Sequence, residues 1–115
     1  MTEREEKVLA YYNRDRFAMT RKYLKEGTFL KKAKQFVEMF EDCVVIRESD
    51  PNRSGTADLL LCYNGRFIAC ELKAMDGVPS PQQLKFVEKV KKAGGLAEVC
   101  ECLNDIWSLL KLTAQ

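Results

Sequence analysis

Asn64-Gly65 stands between two apolar runs, Leu59-Leu60-Leu61-Cys62-Tyr63 and Phe67-Ile68-Ala69-Cys70. This dipeptide is the strongest short-range signal for a two-residue hairpin, because both turn positions need positive φ, which asparagine and glycine tolerate. The turn also fixes the register. Tyr63 pairs with Arg66, and stepping outward sets Asp58 opposite Glu71 and Thr56 opposite Lys73. Alternation puts Glu71 and Lys73, two residues apart, on one face, with Asp58 beside them across the ladder. Directly opposed residues have Cβ atoms roughly 4.5–5.5 Å apart, and opposed like charges destabilise a sheet. Two carboxylates with one ammonium leave net negative charge inside apolar strands, which is costly unless compensated. A divalent cation compensates it, and Mg²⁺ commonly takes one or two protein carboxylates and keeps several waters. A structural salt-bridge triad at a strand edge is the other reading of the same residues.

The composition narrows the chemistry. The 115-residue chain contains no histidine, which removes Ser-His-Asp, Cys-His and histidine-ligated metal sites and leaves carboxylates and lysines as candidate catalytic groups. Its 46% hydrophobic and 31% charged residues are ordinary for one soluble globular domain. No apolar run approaches a membrane span, and the charged Met1-Thr2-Glu3-Arg4-Glu5-Glu6 start is unlike a secretory signal. Five cysteines, an odd number, then read as reduced thiols of a cytoplasmic protein. None has the spacing of a zinc-binding pair, and Cys43, Cys62 and Cys70 sit in apolar strands, where cysteine acts as core filling.

The rest of the chain reads as helices around that hairpin. Residues 3 to 24 have a helical but imperfect pattern, which Asn13-Arg14-Asp15 interrupts. Gly27-Thr28 marks a break with Thr28 as N-cap, and Phe29, Ala33, Phe36, Val37 and Phe40 give an amphipathic helix to about Asp42. Cys43 to Ile46 is a β-branched strand, and 49–55 is loop chemistry. Apolar residues on both faces of the hairpin imply helices above and below it. Ser80, Pro81 and Gln83 spell a capping box at the start of the next helix, which Gly94-Gly95 ends. Leu96 to Cys100 follows by a strand-helix-strand crossover, which places it parallel to the Glu71 strand. Asn104 caps a last helix carrying Ile106, Trp107, Leu109 and Leu110. The predicted fold is α/β, a mixed four-stranded sheet with helices on both faces.

Gly55-Thr56-Ala57-Asp58 followed by Glu71-Leu72-Lys73 resembles the PD-(D/E)XK nuclease superfamily. The continuation Ser80-Pro81-Gln82-Gln83, then Ala93-Gly94-Gly95, resembles its VRR-Nuc branch, over roughly residues 26 to 103. Thr56-Ala57 departs from the superfamily pattern where its name has proline, a position that holds no metal. The resemblance implies a restriction-endonuclease-like core in residues 26–115, with 1–25 as an N-terminal helical extension. It implies Asp58 and Glu71 as ligands of Mg²⁺ or Mn²⁺, the Leu72 carbonyl as another, and Lys73 as the catalytic lysine. Gln83 takes the place of the family's site-facing glutamine, while the capping box explains the same residue without catalysis; neighbouring Gln82 points elsewhere. An acid from the preceding helix also belongs to the family's site. Glu26 falls nearest that position, with Glu38 in a more acidic, solvent-facing stretch.

The chemistry that fits such a site is phosphodiester hydrolysis. The net charge is only +2, but cations cluster: Arg21, Lys22, Lys25, Lys31, Lys32 and Lys34 in one run, Lys85, Lys89, Lys91 and Lys92 in another. Such clusters suit a nucleic-acid backbone or are simply solvated helix faces. Lys31, Lys34, Arg47, Arg53 and Lys85 are the candidate DNA-binding residues. The expected activity is metal-dependent endonucleolytic cleavage of branched DNA, including four-way junctions, in replication, recombination or repair. Two symmetric cuts at a junction call for two sites, hence a homodimer. Small stand-alone members of the resembling family are typically phage proteins, which places the chain in a phage-infected or bacterial cytoplasm. A non-catalytic nucleic-acid-binding module keeping the nuclease fold is the alternative. A nuclease directed at modified or foreign DNA shares the same site.

Overall fold

The computed structural model of the protein describes residues 1–49 and 57–114. Residues 50–56, expected from the sequence to be a loop and including Arg53 and Thr56, lie outside the described residues. Among the described residues eight elements follow one another: α1 (Glu3–Tyr12), α2 (Glu26–Glu38), β1 (Cys43–Glu48), β2 (Ala57–Tyr63), β3 (Arg66–Leu72), α3 (Pro81–Lys92), β4 (Leu96–Cys100) and α4 (Leu103–Leu112). The strands form one sheet in the order β1-β2-β3-β4, antiparallel except for the parallel β3/β4 pair. This is the mixed, helix-flanked sheet that the sequence predicts.

The hairpin closes as Asn64-Gly65 dictates. Both residues have positive φ, 51° and 76°, which a side chain branched at Cβ would resist. Tyr63 pairs with Arg66, and the register runs unbroken to Asp58 opposite Glu71 and Ala57 opposite Leu72. On one face Leu59, Leu61, Ile68, Cys70 and Leu72 join residues of α2 and α4 in the main core, including fully buried Phe29, Phe36 and Ile106. On the other face Leu60, Ala69 and Ala97 meet Val87 and Val90 of α3 in a smaller cluster. The crossover helix therefore covers the same face that carries Asp58 and Glu71.

Helix boundaries differ from the sequence pattern in three places. α1 stops at Tyr12 instead of continuing toward residue 24; Asn13 is its C-cap, and 16–20 form turns. α2 starts at Glu26, so Gly27-Thr28 lies inside the helix, the N-cap is Lys25 and not Thr28, and the helix ends at Glu38 rather than near Asp42. Burial of Phe29 and Leu30 outweighs the weak helix propensity of glycine and threonine there. α4 starts two residues early, with Cys102 as N-cap in place of Asn104. The N-terminal extension packs closely onto the domain. Val8 and Met19 are buried in the main core, Tyr12 packs edge-on against Phe36 at 4.9 Å, and Tyr63 Oη donates to Glu5 Oε1 at 2.6 Å. Among the described residues, no helix is long and apolar enough to cross a membrane.

Candidate active site

The site forms where β2 begins, β3 and β4 end, and α3 starts. Asp58 and Glu71 are cross-strand neighbours and both are buried, 6% and 5% exposed. With Arg47, Ser49, Ser80, Gln82, Gln83 and Phe86 they line an open cleft of about 310 Å³. Burial first, then the carboxylate of Asp58, pushes the Glu71 carboxyl from its ordinary 4.5 up to about 7, and Glu26 adds to the rise; Lys73 and Arg47 act in the opposite sense. One oxygen of Glu71, Oε2, is buried without a hydrogen-bond partner. Buried polar atoms rarely go unsatisfied, and those that do commonly mark an ion, water or substrate position.

The start of α3 brings Gln83 to the same cleft. Ser80 Oγ accepts from the Gln83 amide at 3.2 Å, and the Ser80 amide donates to Gln83 Oε1 at 2.8 Å, a reciprocal capping box with Pro81 in the first turn. Because a backbone N–H can only donate, that contact assigns which end of the Gln83 amide is oxygen. Its Nε2 is therefore turned the other way, and it too is buried without a partner. The cap uses one end of this side chain and leaves the other without a protein partner. Gln82, expected to point elsewhere, also lines the cleft, together with Phe86, which neighbours it at i, i+4 and Gln83 at i, i+3 on α3.

Lys73 and Glu26 lie beside this pair. Lys73 is 5% exposed, and its Nζ donates to Glu26 Oε1 at 3.2 Å. The Lys73 stem is held closely: a Cβ on Gly77 would lie 3.4 Å from Lys73 Cδ and 3.1 Å from the Ala74 carbonyl oxygen. Glu26, expected as a metal ligand, thus spends its carboxylate on Lys73, and among the described residues no three acidic or cysteine side chains gather as a metal-binding group. Leu72 turns its side chain into the main core, so only its carbonyl is available as a donor.

The DNA-binding candidates divide. Arg47 lies in β1, not in the following loop, and its Nη2 donates to Asp58 Oδ2 at 2.9 Å. Lys34 pairs with Glu48 at 3.5 Å and Glu38 at 3.8 Å, and with Lys31 it belongs to α2, on the sheet face opposite the cleft. Lys85 is exposed on α3 and lines a surface groove with Pro81, Leu84, Glu88, Lys89 and Lys92, next to the cleft residues Ser80 and Gln82. All five cysteines are free thiols, Cys70 and Cys100 fully buried.

No protein-family model matches the chain, and neither a curated protein nor a solved structure matches it significantly.

Proposed function

We propose that the protein is a metal-dependent endonuclease that hydrolyses phosphodiester bonds in DNA, directed at branched structures such as four-way junctions and working as a homodimer. The observation that carries this reading is the buried Asp58–Glu71 pair, with Glu71 Oε2 and Gln83 Nε2 both left without a partner and both residues lining one cleft. The donor set fits a hard cation: two adjacent carboxylates of opposite strands and the Leu72 carbonyl, in a place where like charges otherwise repel. A divalent cation bound there supplies Lewis-acid stabilisation of a phosphoryl group and makes water a stronger nucleophile near neutral pH.

The chain's own groups serve the same reaction. Lys73, steadied by Glu26, keeps an ammonium beside Glu71 that stabilises charge developing on the phosphate. Gln83 Nε2 is a ready donor for a phosphate oxygen, and its orientation is set by the cap before substrate arrives. The amides at the start of α3 favour an anion at the same end of the cleft.

The second reading, a non-catalytic nucleic-acid-binding module, is favoured by the Arg47–Asp58 ion pair, which neutralises one carboxylate without any metal. One experiment separates the two. The protein is incubated with four-way, flap, splayed and linear DNA, with EDTA or with Mg²⁺ or Mn²⁺, beside Asp58→Asn. Cation-dependent cuts near branch points that vanish in Asp58→Asn support the nuclease; full cleavage by Asp58→Asn overturns it, and binding without cuts in any cation favours the module.

A further inference from the structure

We propose that Arg47 is an exchangeable guanidinium of this site: it neutralises Asp58 while the cleft is empty, and on loading with a divalent cation it releases Asp58 and binds a phosphate oxygen of the substrate. The inference rests on the nuclease reading and adds to it a residue whose partner changes within the reaction cycle.

The first observation is a bulge in β1. Val45 pairs with Leu61, but Arg47 pairs with Leu60, so Ile46 is an extra residue in the ladder. Regular alternation would set Arg47 opposite Leu59 and aim it, like Cys43 and Val45, at the main core. The bulge moves it to the face of Leu60 and Asp58. It does the converse for Glu48, which now opposes Leu59 and reaches Lys34 of α2 at 3.5 Å. Bulges next to active sites commonly re-aim one side chain in this way.

The second observation is the asymmetry of the pair. The Asp58 side chain is 9% exposed and fixed within β2, whereas the Arg47 side chain is 61% exposed on a long stem at the cleft mouth. Whichever partner leaves, it is Arg47. An exposed guanidinium returns to water at little cost, and a pair with one exposed member contributes modestly to stability. The third observation is position. Arg47 lines the same cleft as Glu71 and Gln83, so a phosphate lying against the carboxylate pair is within the sweep of its side chain. Arginine binds phosphate oxygens through two parallel N–H groups, which suits this role better than lysine.

Competition for Asp58 gives a readout that needs no turnover. In calorimetric titration with Mn²⁺ and no DNA, Arg47→Ala binds about 3- to 10-fold more tightly than the parent protein, and Arg47→Lys falls between them. With a cleavage-resistant phosphorothioate-linked four-way junction, Mn²⁺ strengthens DNA binding more in the parent protein than in Arg47→Ala, because only the parent has a guanidinium to hand over. A purely structural arginine would lower the melting temperature of Arg47→Ala and leave Mn²⁺ affinity unchanged; that result, or weaker Mn²⁺ binding, overturns the exchange. If Asp58→Asn abolishes Mn²⁺ binding while Arg47→Ala and the parent bind equally, the exchange fails and the metal site stands. If neither protein binds Mn²⁺ at all, both readings fail together.

Discussion

Glu71 sits directly across the β2/β3 ladder from Asp58, and of the two it is Glu71 that keeps a buried oxygen without a partner. The division follows from their neighbours: Asp58 has the Arg47 guanidinium at 2.9 Å, while Glu71 has burial and the opposed carboxylate against it. In the cation-free protein Glu71 therefore carries the strain of the site.

That strain has a pH signature. The folded protein holds the Glu71 proton up to about pH 7, whereas the unfolded chain releases it near 4.5. Between these values the native state binds more protons, so this group lowers stability as pH rises from about 4.5 to 7 and contributes no further change above that. The charged groups around it, Asp58 and Glu26 on one side, Lys73 and Arg47 on the other, set the size of the effect. In EDTA, Glu71→Gln has a melting temperature close to the parent at pH 4.5 and a higher one at pH 8, where its gain in unfolding free energy is on the order of 2–3 kcal/mol. Differential scanning calorimetry at both pH values measures it. A gap that is equal at the two values, or reversed, removes Glu71 as the strained group.

A different pair of variants decides what Glu26 does. Lys73→Ala loses most turnover yet binds Mn²⁺, because Asp58 and Glu71 remain; its stability falls by about 1–2 kcal/mol, since the abandoned Glu26 is partly exposed. Glu26→Gln keeps Mn²⁺ affinity within about threefold and lowers turnover, as expected of a residue that acts through Lys73. A tenfold or greater loss of Mn²⁺ affinity in Glu26→Gln shows that it is a ligand after all.

The register of the hairpin was legible because one dipeptide determined it: once Asn64 and Gly65 take positive φ, every cross-strand neighbour down to Asp58 and Glu71 follows by counting. The Ser80 capping box was equally readable, being a local arrangement of four residues. What escaped was set by tertiary structure. Nothing in Cys43-Val44-Val45-Ile46-Arg47 announces that Ile46 is skipped by the ladder, yet that bulge decides which face Arg47 occupies. The start of α2 escaped for a similar reason. Gly27-Thr28 signals a break locally, but a helix beginning at Glu26 both buries Phe29 and brings a carboxylate to Lys73, 47 residues away in sequence. Gln83 was legible only in half: its Oε1 end belongs to the cap, and its Nε2 end is meaningful only beside the unpartnered Glu71 oxygen.

The two ends of Gln83 predict an experiment of their own. Ser80→Ala and Gln83→Ala each break the capping box and each cost about 0.5–2 kcal/mol of stability. Only Gln83→Ala also removes the Nε2 donor from the cleft. Turnover therefore falls about tenfold or more in Gln83→Ala and by less than about threefold in Ser80→Ala, each tenfold step being about 1.4 kcal/mol of transition-state stabilisation. Chemical denaturation beside single-turnover cleavage compares them. Equal losses of turnover in the two variants would reduce Gln83 to a helix cap.

On the proposed nuclease reading, the lysines of α3 mark the expected path of the nucleic-acid backbone. Lys85, Lys89 and Lys92 recur at i, i+4 and i+7, so they share one helix face and span about 10 Å along the axis. They line a single surface groove, and the helix that carries them begins at Ser80 on the edge of the cleft. Each lysine that neutralises a phosphate releases a counterion, which makes log K fall with log salt by about 0.9 per contact on duplex DNA. Replacing all three with alanine is expected to weaken binding of a four-way junction and to flatten the salt slope by about 2–3, uniformly across sequences. Lys31→Ala with Lys34→Ala is the control, removing two like charges against three. These residues lie on α2 across the sheet, and Lys34 is already paired with Glu38 and Glu48. The control should change the slope by less than about 0.5, the small residue of long-range attraction. Binding measured from 50 to 300 mM salt separates the faces. If the α2 control flattens the slope and the α3 triple variant does not, the backbone runs over the opposite face and the cleft is not approached along α3.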